Sequence, residues 1–408
     1  MIQARDFVEA ARARGFEWYA GVPCSYLTPF INYVLQDPSL HYVSMANEGD
    51  AVAFIAGIAL AGGQNGPSGR TAREPTGLTA RRGIAMMQNS GLGNAVSPLT
   101  SLTWTFRLPQ LLIVTWRGQP GVPDEPQHAL MGPITPSMLD LMEVRWELFP
   151  TQEAQIGPAL ERAVAYMDAT GRPYALVMQK GSVASYPLRP GADAIRTRSD
   201  RRAAAAEPYR LAPGERVSRQ QALREVIAQT PAASTAVLAS TGFCGRELYA
   251  IEDRPNQLYM VGSMGCVIPL ALGLALARPD LRVVALDGDG AALMRMGAFA
   301  TVGAYGPPNL YHLLLDNGAH DSTGGQATVS PNVSFANVAA ACGYAASLET
   351  DDLGKISEWL HAPPLDGARF ARLLTRPGSP ADLPRPSITP VDVKTRLMQH
   401  FGSLTGAP

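Results

Sequence analysis

The sequence contains few lysines, few cysteines and almost no net charge. Only three of its 34 basic residues are lysines, and 35 acidic residues leave a formal charge of −1. A surface near neutrality offers no general attraction for nucleic acid or for an anionic membrane, so we expect neither as a partner. The four cysteines lie far apart with no C-x-x-C pair, which excludes a zinc-ribbon spacing and does not suggest a disulfide framework.

A long apolar segment is also missing. The longest stretch, residues 261–277, has 17 residues and is interrupted by Gly, Ser and Pro, whereas a membrane-spanning helix needs about 20. We interpret it as a loop followed by a buried helix. The N-terminus carries alternating charge and no apolar core, so it does not resemble a signal peptide. We therefore expect a cytoplasmic protein.

Short apolar runs alternate with helical patterns along the chain. Its 408 residues are typical of two or three domains, and the alternation predicts an α/β protein with parallel sheets. The predicted strands are residues 18–22, 111–116, 174–178, 235–239, 282–286 and 310–315.

Changes in composition predict the domain boundaries. The first domain is expected at residues 1–187 and the second at residues 216–376. Residues 188–215 have Arg/Ala runs and prolines without a clear period, and we interpret them as the linker. Residues 377–408 are Pro-rich before a last short helix and form the C-terminal tail. Residues 62–83, rich in Gly, Pro, Ser, Thr and Arg, are predicted to be a disordered surface insertion.

An acidic glycine motif follows one of the buried strands. The sequence Asp-Gly-Asp-Gly-Ala at residues 287–291 comes directly after strand 282–286, and the next strand is followed by Asn317. Ligands bind at the carboxyl ends of parallel strands, so Asp289 and Asn317 are expected side by side. A carboxylate, an amide oxygen and a backbone carbonyl suit Mg²⁺. The alternative is an acidic turn that only caps a helix.

The spacing between Asp289 and Asn317 resembles the thiamin-diphosphate signature. Residues 317–326 are more specific, since they resemble the phosphonopyruvate decarboxylases, whose nearest relatives are the sulfopyruvate decarboxylases. Residues 88–94, 117–128 and 240–248 extend this resemblance over nearly the whole chain. The insertion at 62–83 is the one departure from the pattern of this family.

The resemblance implies a fold and an assembly. The expected fold is α/β, with two doubly wound parallel-sheet domains of the thiamin-diphosphate-binding fold. The first domain would bind the pyrimidine and the second the diphosphate. In related enzymes the cofactor lies between domains of different subunits, so at least a homodimer is expected. A length of 408 residues leaves no room for the third domain that many such decarboxylases carry.

The resemblance also assigns the cofactor residues. It implies that Asp289, Asn317 and the carbonyl of Ala319 hold Mg²⁺ on the diphosphate. Glu48 would protonate the aminopyrimidine ring, although a Glu in a helix's first turn is otherwise an ordinary dipole-favoured residue. Met264 would separate the two rings of the cofactor, and its alternative is a core position. The remaining expected cofactor contacts are Ser240, Thr241, Gly242, the carbonyl of Gly262, Gly290 and Ala291.

Four residues are candidates for the substrate. Ser25 follows a Gly-Val-Pro-Cys turn that faces the substrate in related decarboxylases. His128 and His320 lie in Gly-rich loops within family motifs and are expected to transfer protons or to contact a phosphonate. Arg117 could pair with the phosphonate or merely pack beside Trp116.

The implied reaction is the decarboxylation of 3-phosphonopyruvate to phosphonoacetaldehyde and CO₂, with thiamin diphosphate and Mg²⁺, in phosphonate biosynthesis. The substrate would be a 2-oxo acid with a phosphonate or sulfonate group. Sulfopyruvate decarboxylation, another 2-oxo-acid decarboxylase or carboligase activity, and a non-catalytic diphosphate-binding module remain the alternatives.

Overall fold

The computed structural model describes residues 1–62, 72–73, 79–189 and 215–404. The chain divides into two units, residues 1–195 and 196–408. Most of the predicted linker lies outside the described residues, and so does most of the predicted insertion at 62–83.

The first unit is built around a sheet of six parallel strands in the order β2-β1-β5-β6-β8-β7. Strands β3 and β4 form a separate antiparallel pair. The strands are β1 (Phe16–Gly21), β2 (His41–Ser44), β3 (Ala72–Arg73), β4 (Thr79–Ala80), β5 (Arg82–Gln88), β6 (Leu111–Thr115), β7 (Arg145–Leu148) and β8 (Tyr174–Met178). The helices are α1 (Ala4–Arg12), α2 (Thr28–Leu35), α3 (Glu48–Leu60), α4 (Leu92–Pro98), α5 (Trp104–Phe106), α6 (Met131–Leu141) and α7 (Glu153–Thr170).

The second unit has a sheet of six parallel strands in the order β10-β9-β11-β12-β16-β15. Its strands are β9 (Thr235–Ala239), β10 (Gln257–Tyr259), β11 (Arg282–Gly288), β12 (Leu310–Asp316), β13 (Ala319–His320), β14 (Gln326–Ala327), β15 (Ala346–Thr350) and β16 (Arg369–Leu374). Its helices are α8 (Arg219–Gln229), α9 (Phe243–Ile251), α10 (Val267–Ala277), α11 (Asp289–Met294), α12 (Gly297–Tyr305), α13 (Phe335–Cys342), α14 (Leu353–His361) and α15 (Pro390–Leu404).

Both large sheets have the same strand topology. In each sheet, the first strand in chain order lies between the second strand, which is at the sheet edge, and the third strand. The connections therefore diverge between β1 and β5 in the first unit and between β9 and β11 in the second. Such switch points open a crevice at the carboxyl ends of the strands, where α/β proteins bind ligands.

Each unit contains an almost entirely buried helix that connects strands of its sheet. Helix α3 begins after Asn47, whose side chain accepts a hydrogen bond from the amide of Gly49 at 2.8 Å. Small residues let α3 pack on all sides, and every residue from Gly49 to Leu60 is buried. Helix α10 is similarly buried, which confirms the interpretation of residues 261–277 as a loop and a buried helix.

The six predicted strands are present, but several others were missed. Strand β16 is the clearest case, because it is fully buried and yet contains Arg369 and Arg372. Arg372 donates from Nε to Asp316 Oδ2 at 2.8 Å and from Nη1 to Glu349 Oε2 at 3.1 Å. Buried charge is tolerated when it is paired and hydrogen-bonded. A search for apolar runs therefore overlooks this strand.

The ends of two predicted segments are structured. Arg82 and Gly83, which were assigned to the insertion, belong to strand β5 and pair with β1. The prediction was wrong there because an arginine at the strand start hides the apolar run that follows. The C-terminal segment ends in α15, which lies against β10 and buries Val393, Leu397 and Phe401. Among the described residues, no helix has both the length and the hydropathy that crossing a bilayer requires.

Arg372→Ala should lower the free energy of unfolding by about 3–5 kcal/mol, because it leaves Asp316 buried without its cation. Urea denaturation followed by circular dichroism measures this loss. The matched control is Lys355→Ala, whose ion pair with Glu358 is exposed and is expected to contribute less than about 1 kcal/mol. Equal losses for the two variants would contradict the assigned role of Arg372.

Candidate active site

The switch point of the second sheet is lined by most of the predicted cofactor residues. Strands β9 and β11 pair in register up to Ala239 and Leu286, so the segments that follow them are neighbours. These segments and the loop after β12 enclose one cavity. The predicted site residues that line this cavity are Ser240, Thr241, Gly242, Met264, Asp289, Gly290, Ala291, Asn317, Ala319 and His320. Gly262 is not among the lining residues.

Backbone amides are available at this cavity. Gly242 has φ +95°, a conformation that is strained for other residues, and immediately precedes helix α9. Its position turns the chain so that α9 begins at the cavity, which Phe243 also lines. The first amides of a helix have no intrahelical partner and favour anions such as phosphate.

Asp289 is a buried carboxylate with no basic side chain paired to it among the described residues. Its side chain accepts a hydrogen bond from the Thr328 hydroxyl. Among the described residues, no arginine, lysine or histidine forms an ion pair with it. Burial raises the pKa of Asp289 above its ordinary value, the Thr328 hydrogen bond opposes this, and the charge of Asp316 adds to it. A buried carboxylate without a cationic partner is costly, so this position suits a bound cation.

Asn317 lines the same cavity. Its Nδ2 donates to Asp321 Oδ2 at 2.7 Å, while its Oδ1 accepts from the amide of Ala319 at 3.1 Å. An amide oxygen has two lone pairs, so one remains for a metal ion. In the part of the chain that the structure describes, no group of three or more His, Cys, Asp or Glu side chains could hold a metal. The Asp289 carboxylate and the Asn317 amide both offer oxygen donors at this cavity, the type of ligand that Mg²⁺ prefers.

Gly290 brings the acidic loop close to two other predicted residues. A Cβ at this position would lie 2.6 Å from Cε1 of His320 and 3.1 Å from Cε of Met264. Met264 is half-buried and lines the cavity, and the preceding Ser263 has φ +53°. This geometry disfavours the alternative that Met264 belongs to the core.

In the first unit, Glu48 is the first residue of α3 and is half-buried. Its Oε2 accepts a hydrogen bond from Asn94 Nδ2 at 2.8 Å. The carboxylate is packed so closely against Gly91 that a Cβ there would lie 2.5 Å from it. A helix N-terminus favours a negative side chain, so the backbone and Asn94 together fix this carboxylate.

The substrate candidates of the first unit lie in different surroundings. Ser25 is exposed after β1 and lines a cavity together with Tyr26 and Ser182. His128, which sequence analysis assigned to a loop, lies in a short 3₁₀ turn and is buried. Loop composition around it does not reveal this burial.

Arg117 is held by an acid of its own unit. Its Nε and Nη2 both donate to Asp124, with Nε to Oδ2 at 2.8 Å, and its guanidinium lies 5.2 Å from the ring centre of Tyr26. Hydrogen bonding from Arg117 holds the pKa of Asp124 well below its usual range. The guanidinium is thus already paired with Asp124, a partner that sequence analysis did not name.

Comparison with known proteins identifies the family. Residues 241–362 match the family described as "Thiamine pyrophosphate enzyme, C-terminal TPP binding domain". A phosphonopyruvate decarboxylase from Streptomyces viridochromogenes is 43% identical over 398 residues, 97% of this chain and 94% of that protein. Another, from Streptomyces hygroscopicus, is 41% identical over 402 residues, 98% of this chain and 94% of that protein. The chain belongs to the phosphonopyruvate decarboxylase family.

This membership confirms the predicted family and makes the chain a thiamin-diphosphate-dependent decarboxylase. A sulfopyruvate decarboxylase from Methanosarcina acetivorans is a more distant relative, 26% identical over 404 residues and 96% of each chain. The fold class is confirmed too. A thiamine diphosphate-dependent 4-hydroxybenzoylformate decarboxylase from Rhodococcus jostii RHA1 superimposes with a TM-score of 0.66 at 14% identity, over 92% of this chain and 99% of that one.

Several residues of this decarboxylase that contact the predicted site residues were not found by sequence analysis. Asn94 and Gly91 lie in the 88–94 motif, and Asp321 lies in the 317–326 motif, so the motifs contained a signal for all three. Thr328 is two residues beyond that motif and carried no signal. Arg219 is about 100 residues before Asp321, and only the fold brings it to the cavity.

Gly91→Ala should lower the decarboxylase turnover number at least about tenfold, because the new methyl group displaces the Glu48 carboxylate. Gly93→Ala is the matched control, since nothing lies within 4 Å of a Cβ at that position. Steady-state rates of both variants at saturating cofactor provide the comparison. If Gly91→Ala turned over as fast as Gly93→Ala, the position of the Glu48 carboxylate would be unimportant.

Proposed function

We propose that this enzyme decarboxylates 3-phosphonopyruvate to phosphonoacetaldehyde and CO₂ with thiamin diphosphate and Mg²⁺. The observation that carries the proposal is the buried Asp289 carboxylate, which no described basic side chain pairs with and which shares a cavity with Asn317 at a sheet switch point. The identity to Streptomyces phosphonopyruvate decarboxylases over nearly the whole chain supports this substrate.

The second unit is proposed to be the diphosphate-binding domain. Asp289, Asn317 and the carbonyl of Ala319 would hold Mg²⁺, and the amides near Gly242 and Gly290 would donate to the diphosphate. The other proposed contacts are Ser240, Thr241, Ala291, the carbonyl of Gly262 and Met264. When bound, thiamin diphosphate supplies a thiazolium ring that accepts the electron pair left by CO₂.

The first unit is proposed to be the pyrimidine-binding domain, and its Glu48 is the proposed acid. One of its carboxylate oxygens accepts from Asn94, which leaves the other to exchange a proton with the aminopyrimidine. By the arrangement of related enzymes, Glu48 and Asp289 would serve the same site from two copies of the chain. A homodimer is therefore the proposed minimum assembly.

The structure supports some of the proposed substrate contacts better than others. Ser25 is exposed beside a cavity, and His320 lines the diphosphate cavity, so both can meet a ligand. His128 is buried and Arg117 is already paired with Asp124, so both would need a rearrangement to reach a phosphonate. Sulfopyruvate is the second candidate substrate, because a sulfopyruvate decarboxylase is related over the whole chain.

The substrate assignment predicts that CO₂ release is fastest with phosphonopyruvate. Phosphonopyruvate, sulfopyruvate and pyruvate should be assayed side by side, with and without thiamin diphosphate and Mg²⁺, and kcat/KM compared. Faster release from sulfopyruvate would replace the proposed substrate by the second candidate. Equal rates with pyruvate would mean that the anionic group is not recognised.

The Glu48 assignment predicts that Glu48→Gln lowers kcat at least about 100-fold, because an amide cannot hold the exchanged proton. Cofactor binding, measured by calorimetry, should remain. Glu358→Gln, a change at an exposed glutamate, is the control and should retain full activity. Full decarboxylation by Glu48→Gln would remove Glu48 from the mechanism.

A further inference from the structure

Asp321 connects the proposed metal ligand Asn317 to a buried charge network. Its Oδ2 accepts from Asn317 Nδ2 at 2.7 Å and from Arg219 Nη2 at 3.1 Å, and the amide of Gly378 donates to the same carboxylate at 3.2 Å. Only 9% of the Asp321 side chain is exposed. Three donors from separate segments thus fix its carboxylate in place.

Arg219 is in turn fixed by a second acid. Its Nε and Nη2 donate to Oε1 of Glu247 at 3.0 and 2.8 Å, and Nη2 also reaches the hydroxyl of Ser379 at 2.6 Å. Glu247 is almost fully buried. The guanidinium therefore lies between two buried carboxylates, and a rigid, planar donor group of this kind holds both in defined positions.

Together with the amide of Ala319, which donates to Oδ1 of Asn317 at 3.1 Å, this arrangement decides which side of the Asn317 amide faces the metal. A carboxylate only accepts hydrogen bonds, so Asp321 selects the NH₂ group of Asn317 and repels its oxygen. The oxygen of the amide group then points away from Asp321, where a cation can bind to it. With the amide reversed, two acceptors would face each other at Asp321 and an NH₂ group would face the metal.

We propose that Asp321, held by Arg219 and Glu247, is a positioning residue that orients the amide oxygen of Asn317 toward Mg²⁺. The inference rests on the metal site in the proposed function. Partners of metal ligands commonly affect metal affinity 10- to 100-fold. The network also couples the metal loop to helix α8, helix α9 and the segment at Gly378 and Ser379.

The test is a calorimetric titration of Mg²⁺ into metal-free protein in the presence of thiamin diphosphate, without substrate. Asp321→Asn should weaken Mg²⁺ binding about 10- to 100-fold, because an asparagine can donate and so allows the reversed Asn317 amide. Asp280→Asn, a change in the ion pair with Arg278 on the same unit, is the control and should bind like the parent. Arg219→Lys, which keeps the charge but loses the two-pronged donor, should also weaken binding.

The same substitution in an Asn317→Ala protein distinguishes an effect on the orientation of the Asn317 amide from a direct attraction between the Asp321 charge and Mg²⁺. In an Asn317→Ala protein no amide remains to be oriented, so adding Asp321→Asn should change Mg²⁺ affinity less than about twofold. An equal loss in both backgrounds would show that Asp321 acts by its charge alone and would overturn the inference, as would parent-like binding by Asp321→Asn and Arg219→Lys. If the parent itself bound no Mg²⁺, the proposed metal site would fail first. Thermal unfolding of each metal-free variant reports its folding.

Discussion

Compensation of buried carboxylates governs the carboxyl edge of the second sheet. Asp316 ends strand β12 beside Arg372, and Asp321 follows it beside Arg219. Asp287 lies 3.6 Å from a histidine, His312. Among the described residues, no basic side chain pairs with Asp289, whose carboxylate accepts a hydrogen bond from the hydroxyl of Thr328. Because a buried carboxylate without a basic partner is unfavourable, the surroundings of Asp289 are the strongest structural reason to expect a cation there.

The same requirement explains distant parts of the fold. Strand β16 can hold Arg372 in the sheet interior because Asp316 and Glu349 lie on the neighbouring strands. Arg219, the first residue of helix α8, pairs with two acids, Asp321 at the cavity and the buried Glu247 of helix α9. In the first unit, Arg117 forms an ion pair with Asp124 in the same way. Its guanidinium therefore stabilises a loop and is not free to bind a substrate.

These ion pairs also separate what could be predicted from the sequence from what could not. It found the juxtaposition of Asp289 and Asn317, since both follow consecutive parallel strands and their spacing is local. It missed strand β16 because paired arginines interrupt its apolar pattern, and it missed Arg219 because a buried ion pair joins residues about 100 positions apart. Burial of His128 and the pairing of Arg117 with Asp124 depend on how loops pack, which no periodicity records.

The central claim is that Asp289 and Asn317 hold a metal ion on a bound diphosphate. A crystal structure of the full chain with thiamin diphosphate and Mn²⁺ tests it most directly, because anomalous scattering locates the ion. The account predicts one strong peak about 2.1 Å from a carboxylate oxygen of Asp289, from Oδ1 of Asn317 and from the carbonyl oxygen of Ala319. A peak elsewhere, or an Asn317 amide nitrogen facing the ion, would contradict it.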